Sequence, residues 1–523
     1  MPPVTVQDRR GRRHGGRSGN ARRSTAAIEQ LAWPVPLNPD HPTEPLPPEG
    51  VAAIVAAALT ILEDIGIEFL TEEAKEVLRA SGGCTVDPHS DNVRMDRAWV
   101  REMIAKVPSE FTLTPRNPDR ALRVGGKHMV FGNVSSPPNA MDLDRGRRSG
   151  DRESFRDLMK LTHSFNCIHL AGGYPVEPVD LHPATRHLDC LHDKILMTDK
   201  VIHAYSLGPE RVEDGIEMAR IGAGLTPEAF RAGHHIYTNI NSSSPLKHDW
   251  PMLDGAMRFA RANQPVFVTP FTLAGAMAPV TMAGAVTQSI AEGLAAIALL
   301  QEVRPGVPCV LGTFTSNVDM KSGAPAFGTP EYVRATQMTG QMARHYGLPL
   351  RASNACAANA PDAQAMWESL MSLWAAVTAG VNVVYHAAGW LEGGLIASYE
   401  KFVMDCEVLQ QIERYFEPVL TNFDPETLAV EAIREVGPTG HFFGAEHTQE
   451  RYQTAFYAPF LSDWRNYEAW ASAGGVWTSD RANATWKAVL AEYEPPAIDP
   501  AIAEELGAFV ARRKEEGGAV TDF

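Results

Sequence analysis

The middle of the chain alternates short apolar runs, rich in β-branched residues, with longer segments of helical periodicity. Eight runs have the length of a buried strand, at 128–131, 168–171, 201–205, 235–240, 266–270, 308–312, 350–353 and 382–386. Predicted helices accompany them at 152–165, 183–198, 209–223, 250–263, 281–302, 330–346, 362–379 and 399–416. Strands that alternate with helices indicate parallel βαβ units. Eight units in succession are typical of a closed (β/α)8 barrel.

An open, doubly wound sheet is the alternative to a closed barrel. Such a sheet usually has fewer strands and carries a glycine-rich GxGxxG turn after the first one. No predicted strand of this chain is followed by that turn. We therefore predict an α/β fold of the (β/α)8 TIM-barrel type.

In the segments before and after the predicted barrel, apolar residues recur at the spacing of helices. We predict an N-terminal helical extension at 46–126, the barrel at 127–418, and a C-terminal helical extension at 419–523 that packs on the barrel. The bulky side chains expected to make the contacts of the last segment are Trp464, Tyr467, Trp470, Trp477 and Trp486.

Composition and charge narrow the protein class. The chain of 523 residues is 44% hydrophobic, which excludes a disordered chain. Its net charge of −16 disfavours a nucleic-acid binder. Seven arginines lie within 9–23, so 1–45 is predicted to be a disordered basic arm, either solvated or in weak contact with an anionic partner. The six cysteines form no CxxC pair, and the apolar run 51–62 is too short to cross a bilayer. We expect a cytoplasmic protein with free thiols and no membrane partner.

The predicted carboxyl ends of the strands, where barrel enzymes place their chemistry, are rich in Asn, Ser, Thr, Gly and aromatic residues. They lack the paired carboxylates of a glycosidase and the desolvated lysine of a Schiff-base aldolase. Acid–base chemistry is therefore not expected to be the main task of the site. We also predict no metal site, because the two groups His163, Cys167, His169 and His187, Cys190, His192 lack the spacing of a zinc site.

The end of the eighth predicted strand has the residues of a cation site. Tyr385, Trp390 and Tyr399 offer aromatic faces, and Glu392 and Glu400 offer negative charge. Each aromatic face binds a quaternary ammonium group with about 0.5–2 kcal/mol. The alternative is that Trp390 and Tyr399 only pack the mouth of the barrel.

Several motifs, in order along the chain, resemble those of the trimethylamine methyltransferase superfamily. They are PFTLAGAMAP at 270–279, NVDMKSGAPAFGTPE at 317–331, PDAQA at 361–365, HAAGWLEGG at 386–394 and GHFFG at 440–444, followed by Arg451 and YEAW at 467–470. The resemblance covers the chain from about residue 45 onward.

The resemblance implies a barrel that moves a methyl group from a methylated amine to the Co(I) of a separate corrinoid protein. Cobalamin would then be supplied by that partner, and no cofactor would be tightly bound. Members of the family that act on trimethylamine carry pyrrolysine near the end of the seventh strand, at about 354–356 here. This chain has only standard residues there, which resembles the betaine-type branch with substrates such as glycine betaine.

The resemblance also implies site roles, and it leaves alternatives open. The predicted catalytic residues are His386 and Glu392; the predicted substrate contacts are Asn239, Asn241, Thr269, Asn317, Tyr385, Trp390 and Tyr399, with His441 facing the corrinoid. The alternatives are a methyltransferase of the same fold that uses tetrahydrofolate or a sulfonium donor, and a barrel that only binds a methylated solute. A homo-oligomer is compatible with either.

Overall fold

Eight parallel strands form a closed barrel, as the apolar runs predict. The structure, a computed structural model, describes residues 28–33, 35–418 and 423–520. The strands are β1 (Val130–Asn133), β2 (Leu170–Ala171), β3 (Val201–His203), β4 (Ile236–Ile240), β5 (Val266–Val268), β6 (Cys309–Gly312), β7 (Leu350–Ser353) and β8 (Val383–Ala388). Pairing of β8 with β1 closes the barrel. The predicted TIM-barrel fold is confirmed.

One helix of the outer ring follows each strand. The helices are α1 (Arg152–Ser164), α2 (Arg186–Met197), α3 (Pro209–Gly222), α4 (Trp250–Arg261), α5 (Met282–Val303), α6 (Pro330–His345), α7 (Ala363–Ala379) and α8 (Tyr399–Tyr415). The side chains of Asp151, Asp249, Thr329, Asp362 and Ser398 accept backbone N–H bonds at helix starts, which satisfies donors that have no partner within the helix.

Helix α5 is apolar on nearly all sides because it lies between the barrel and the N-terminal extension. Within the described ranges it is the one helix long and apolar enough to cross a membrane, and 89% of its most apolar stretch is buried inside the protein.

The N-terminal extension contains strands as well as helices. Its helices are Pro48–Thr60, Glu72–Ala80 and Arg97–Ile104, and its strands are Ile67–Phe69, Cys84–Val86, Asn92–Met95, Glu110–Leu113 and Leu122–Gly125. Strands of three or four residues are too short for a clear alternating pattern, which is why the sequence predicts a helical extension with one strand-like run, at 111–115.

A hairpin of the N-terminal extension closes the amino end of the barrel. The strands Glu110–Leu113 and Leu122–Gly125 bring four apolar side chains into the same core cluster as the inward-facing residues of the barrel strands. The N–H of Thr114 also donates to the carbonyl of His234, just before β4. Among the described residues, this hairpin covers the barrel interior at its amino end.

Part of the predicted basic arm lies on the barrel. Residues 1–27 are outside the described ranges, but the Asn38 amide donates to the Val377 carbonyl at 2.8 Å, and the Met129 N–H donates to the Pro36 carbonyl. The segment 35–45 thus follows the amino end of the barrel.

The C-terminal extension has the helices Val430–Val436, Glu446–Arg451, Tyr467–Ser472, Thr478–Ala491 and Pro500–Glu515. The last two pack on the barrel, where Arg513 binds Asp214 through two nitrogens and Trp486 Nε1 donates to Glu400. Of the aromatic contacts expected from the sequence, Trp486 is buried, whereas Trp464, Tyr467 and Trp477 are exposed. The short helices before Thr478 bury few side chains, so these aromatic residues remain on the surface.

Candidate active site

A cavity of about 450 Å³ opens at the carboxyl end of the barrel. Its wall is built by residues at or after β1, β3, β4, β5, β6, β7 and β8, which is where barrel enzymes hold their substrates. The residues that line it include Ser135, His203, Tyr205, Asn239, Asn241, Phe271, Phe314, Arg351, Tyr385, His386 and Trp390.

Aromatic rings cover much of this wall. The Phe314 ring centroid lies 5.1 Å from that of Phe271 and 5.9 Å from that of Trp390, and the Trp390 centroid lies 4.3 Å from that of His386. The Tyr385 ring centroid lies 4.8 Å from that of His386. A ligand in the cavity is therefore surrounded by π-faces.

Arg351 of β7 places a buried positive charge in the wall. Its Cζ lies 5.0 Å from the Tyr385 ring centroid and 5.7 Å from that of Phe314. Its Nε and Nη1 have no hydrogen-bond partner among the described residues, and no carboxylate there lies within ion-pair distance of it. Burial lowers the pKa of this guanidinium to about 10, so it is charged at neutral pH. An unpaired buried cation is costly, which makes Arg351 the strongest candidate for a ligand contact.

The two histidines of the wall are neutral. Burial holds the pKa of His386 well below its ordinary value, and the Arg351 charge lowers it further; burial and Lys194 do the same for His203. The Ser135 N–H donates to His386 Nδ1 at 3.1 Å, and the Asn239 N–H donates to His203 Nε2 at 3.3 Å. The proton of each neutral ring is therefore on its other nitrogen.

Two asparagines after β4 form a fixed amide pair. Thr269 Oγ1 donates to Asn239 Oδ1 at 2.8 Å, Asn239 Nδ2 donates to Asn241 Oδ1, and Asn241 Nδ2 donates to the Thr269 carbonyl at 2.7 Å. Asn239 and Asn241 line the cavity, and their contact with the substrate stays a prediction. Thr269 is buried behind them and orients their amides.

Besides Thr269, four further predicted site residues do not line the cavity. Glu392 turns outward at a positive φ of 50° and pairs with Arg147 at 2.9 Å. Tyr399 starts α8 and packs against Trp486 of the C-terminal extension. Asn317 bonds to Thr329 in a small sheet beside the mouth, and His441 is exposed in the C-terminal extension. Of the residues expected to form the cation site, Tyr385 and Trp390 line the cavity, together with Tyr205, Phe271 and Phe314.

Three buried side chains hold the segment that carries His386 and Trp390. Asn354 Nδ2 donates to the Ala387 carbonyl, the Gly389 N–H donates to Asp405 Oδ2 at 2.9 Å, and Cys356 Sγ donates to the Trp390 carbonyl. This segment needs such support because His386 and Gly389 have φ values of 55° and 98°. Burial raises the pKa of Cys356 to about 12, so its thiol is neutral and inert.

The wall offers three kinds of contact but no acid–base pair. Aromatic faces suit a cation that has no N–H to donate, the guanidinium suits an anion, and the amides suit polar atoms. In the described part of the chain, no group of three or more His, Cys, Asp or Glu side chains is placed to hold a metal ion.

Comparison with known proteins gives consistent matches along the chain. Residues 12–518 match the trimethylamine methyltransferase (MTTB) family model. A glycine betaine methyltransferase of Desulfitobacterium hafniense (strain Y51) is 37% identical over 88% of this chain and 95% of its own length. A trimethylamine methyltransferase of D. hafniense (strain DSM 10664 / DCB-2) is 28% identical over 90% and 94%. The solved monomethylamine methyltransferase of Methanosarcina barkeri aligns with a TM-score of 0.45 at 11% identity, over 86% of this chain and 93% of that chain.

Proposed function

Because the chain belongs to the trimethylamine methyltransferase family, we propose that it moves a methyl group from a quaternary amine bearing a carboxylate to the Co(I) of a corrinoid on a separate protein. The observation that supports this substrate class is Arg351, a buried guanidinium with free N–H groups in an aromatic wall. Glycine betaine has both matching groups, a trimethylammonium for the aromatic faces and a carboxylate for the guanidinium.

The charge of the wall favours a zwitterion over a simple cation. No carboxylate of the described residues lies on the cavity wall, so a cation such as choline would share the cavity with the charge of Arg351. Like charges at close range repel strongly in a partly desolvated site. The carboxylate of a betaine neutralises Arg351 in the same step that brings the ammonium group to the aromatic rings.

The neutral wall also suits the proposed reaction. When a methyl group leaves a quaternary ammonium, the electron pair of the broken C–N bond stays on nitrogen, so the tertiary amine leaves neutral and needs no proton. A corrinoid in the Co(I) state supplies the electron pair that takes the methyl group. The residues of this chain bind the ammonium group, point one methyl group toward the mouth and exclude water. The cavity of about 450 Å³ is large enough for a betaine but not for a corrin ring, which would have to stand at the mouth.

The test is a methyl-transfer assay with the full chain. Enzyme is incubated with cob(I)alamin and either glycine betaine, choline or tetramethylammonium, and methylcobalamin is followed by absorbance and the demethylated amine by NMR. We expect transfer from glycine betaine and little from the other two. Parallel reactions with tetrahydrofolate identify the acceptor. Absence of transfer from any carboxylated quaternary amine to cobalamin would overturn the proposal.

A further inference from the structure

Lys194 of α2 reaches the carboxyl end of the barrel from behind the strands. Its side chain is fully buried, and its Nζ donates to the Gly172 carbonyl at 2.6 Å and to the His203 carbonyl at 3.2 Å. Gly172 is the first residue after β2, and His203 is the last residue of β3. One ammonium group therefore connects the ends of two neighbouring strands.

The backbone pairing between β2 and β3 ends at the same place. Their last backbone pair joins Ala171 to Ile202. The next residues, Gly172 and His203, lie beyond this ladder, and their carbonyls accept from Lys194 instead. A buried carbonyl without a donor is costly, so the lysine supplies donors where the ladder has stopped. Lys194 thus holds the two strands together one residue beyond their last backbone pair.

The two strand ends that are joined in this way carry part of the cavity wall. His203 lies in the wall, and the Tyr174 N–H donates to the hydroxyl of Tyr205, another wall residue, at 2.8 Å. The Gly173 N–H donates to the hydroxyl of Tyr385, a third wall residue, at 3.1 Å. The lysine itself does not line the cavity. Its influence on the cavity is therefore exerted through the backbone of 172–174 and through His203.

The ammonium group of Lys194 has no acidic partner. In the described part of the chain, no carboxylate lies within ion-pair distance of its Nζ, and the two acids of the same helix, Asp189 and Asp193, pair with other cations. A buried cation without a counter-ion is destabilising, and an apolar side chain would fill the same space without that cost. What a lysine adds at this position is therefore its hydrogen bonds and its charge, not its packing.

The neighbours of this ammonium group are neutral. Burial raises the pKa of Cys190, on the same helix, and the pKa of Tyr174 well above their ordinary values, so both groups are protonated. Burial lowers the pKa of Lys194 itself to about 7. Its charge also contributes, after burial, to the lowered pKa of His203. The lysine and the wall histidine are therefore coupled by charge as well as by a hydrogen bond.

We propose that Lys194 is a positioning residue of the active site, which fixes His203 and two tyrosines of the cavity wall by joining the ends of β2 and β3. Without its ammonium group, the Gly172 and His203 carbonyls lose their common donor, and the two strand ends can move apart. A site that works by orienting its substrate is sensitive to such movements, because a displacement of about 1 Å can cost about 100-fold in rate.

The test compares Lys194→Met with Lys200→Met in the full chain. Lys200 is the matched control, because it is also fully buried and donates to two backbone carbonyls, those of Thr162 and Phe165, but lies just before β3, at the amino end of the barrel. Both variants should lose stability in urea unfolding. Only Lys194→Met should weaken the binding of glycine betaine, by about tenfold in isothermal titration, since only this lysine supports the cavity wall.

A second measurement needs no ligand. NMR of isotope-labelled histidines at about pH 6, where Lys194 is charged, follows the ring of His203, whose signal is assigned by its loss in His203→Asn. The signal should shift in Lys194→Met and stay in place in Lys200→Met. Lys194→Gln, which keeps N–H donors but no charge, should shift the signal as well and lose less affinity. This milder variant carries the test if Lys194→Met does not fold.

The change in affinity rests on the proposed function, whereas the shift of the His203 signal does not. If the wild type bound no betaine but the His203 signal shifted in the Lys194 variants alone, the proposed function would fail and the positioning role would stand. A folded Lys194→Met that binds glycine betaine as tightly as Lys200→Met would overturn the proposal. An unchanged His203 signal in both Lys194 variants would do the same.

Discussion

The guanidinium of Arg351 lies 5.0 Å from the ring centroid of Tyr385, on the neighbouring strand of the barrel. The tyrosine is itself fixed, because its hydroxyl accepts the Gly173 N–H at 3.1 Å and a bond from the Tyr237 hydroxyl. A cation–π contact is worth about 0.5–2 kcal/mol and does not replace a hydrogen-bonding anion. The arrangement therefore positions Arg351 and leaves its Nε and Nη1 without a hydrogen-bond partner among the described residues.

Replacing Arg351 with Met should weaken the binding of glycine betaine about 10-fold to 150-fold. This range corresponds to the loss of charged hydrogen bonds worth about 1.5–3 kcal/mol. Choline binding should stay the same or improve, because the repelling charge is gone. Isothermal titration with both ligands measures the effect, and Arg351→Lys, which keeps the charge but not the planar fork, should be intermediate. Equal losses for both ligands would contradict the assigned role.

Trp390→Ala should weaken glycine betaine binding, whereas Glu392→Gln should leave it unchanged. Trp390 lies on the cavity wall, so its removal should weaken glycine betaine binding by about 0.5–2 kcal/mol, the value of one aromatic face. Glu392 points outward to Arg147, and a surface pair of this kind contributes about 0–1 kcal/mol to stability. Titration of both variants checks this. If Glu392→Gln lost as much affinity as Trp390→Ala, Glu392 would have to contact the ligand, which would contradict its outward position.

The strand positions could be predicted because buried parallel strands are continuous apolar runs, and each predicted run overlaps an observed strand. Arg351 lies inside one of those runs, but the apolar pattern that predicts the strand does not single it out. A charged residue within a buried strand is nevertheless a signal of function. The outward turns of Glu392 and Tyr399 were not predictable. They depend on a positive φ at Glu392 and on packing against Trp486, which is 87 residues further along the chain than Tyr399. Neither the backbone angle nor the long-range contact changes the local pattern of apolar and polar residues.

Stability should fall as the pH drops below about 6.5, in part because of His203 and His386. In the unfolded chain these rings take up protons near pH 6.5, whereas in the folded chain their pKa values are well below that value because the rings are buried. The unfolded state then binds more protons, so the free energy of unfolding decreases by up to about 1.4 kcal/mol per pH unit for each ring. Urea unfolding between pH 5.5 and 7.5 measures this slope. His386→Asn should reduce the slope, and a slope equal to that of the wild type would contradict the assignment.

Removing one partner of the buried Lys401–Asp405 pair should damage both stability and the site. Both side chains are fully buried on α8, and Asp405 also accepts the Gly389 N–H behind Trp390. Asp405→Ala leaves the buried Lys401 without its carboxylate partner, which should cost about 3–5 kcal/mol in the free energy of unfolding. Lys401→Met combined with Asp405→Leu should cost less, because no charge stays buried. The Gly389 N–H loses its acceptor in both proteins, so betaine affinity should fall in both. Urea unfolding and titration separate the two effects; normal affinity in a folded double variant would show that Asp405 does not position Trp390.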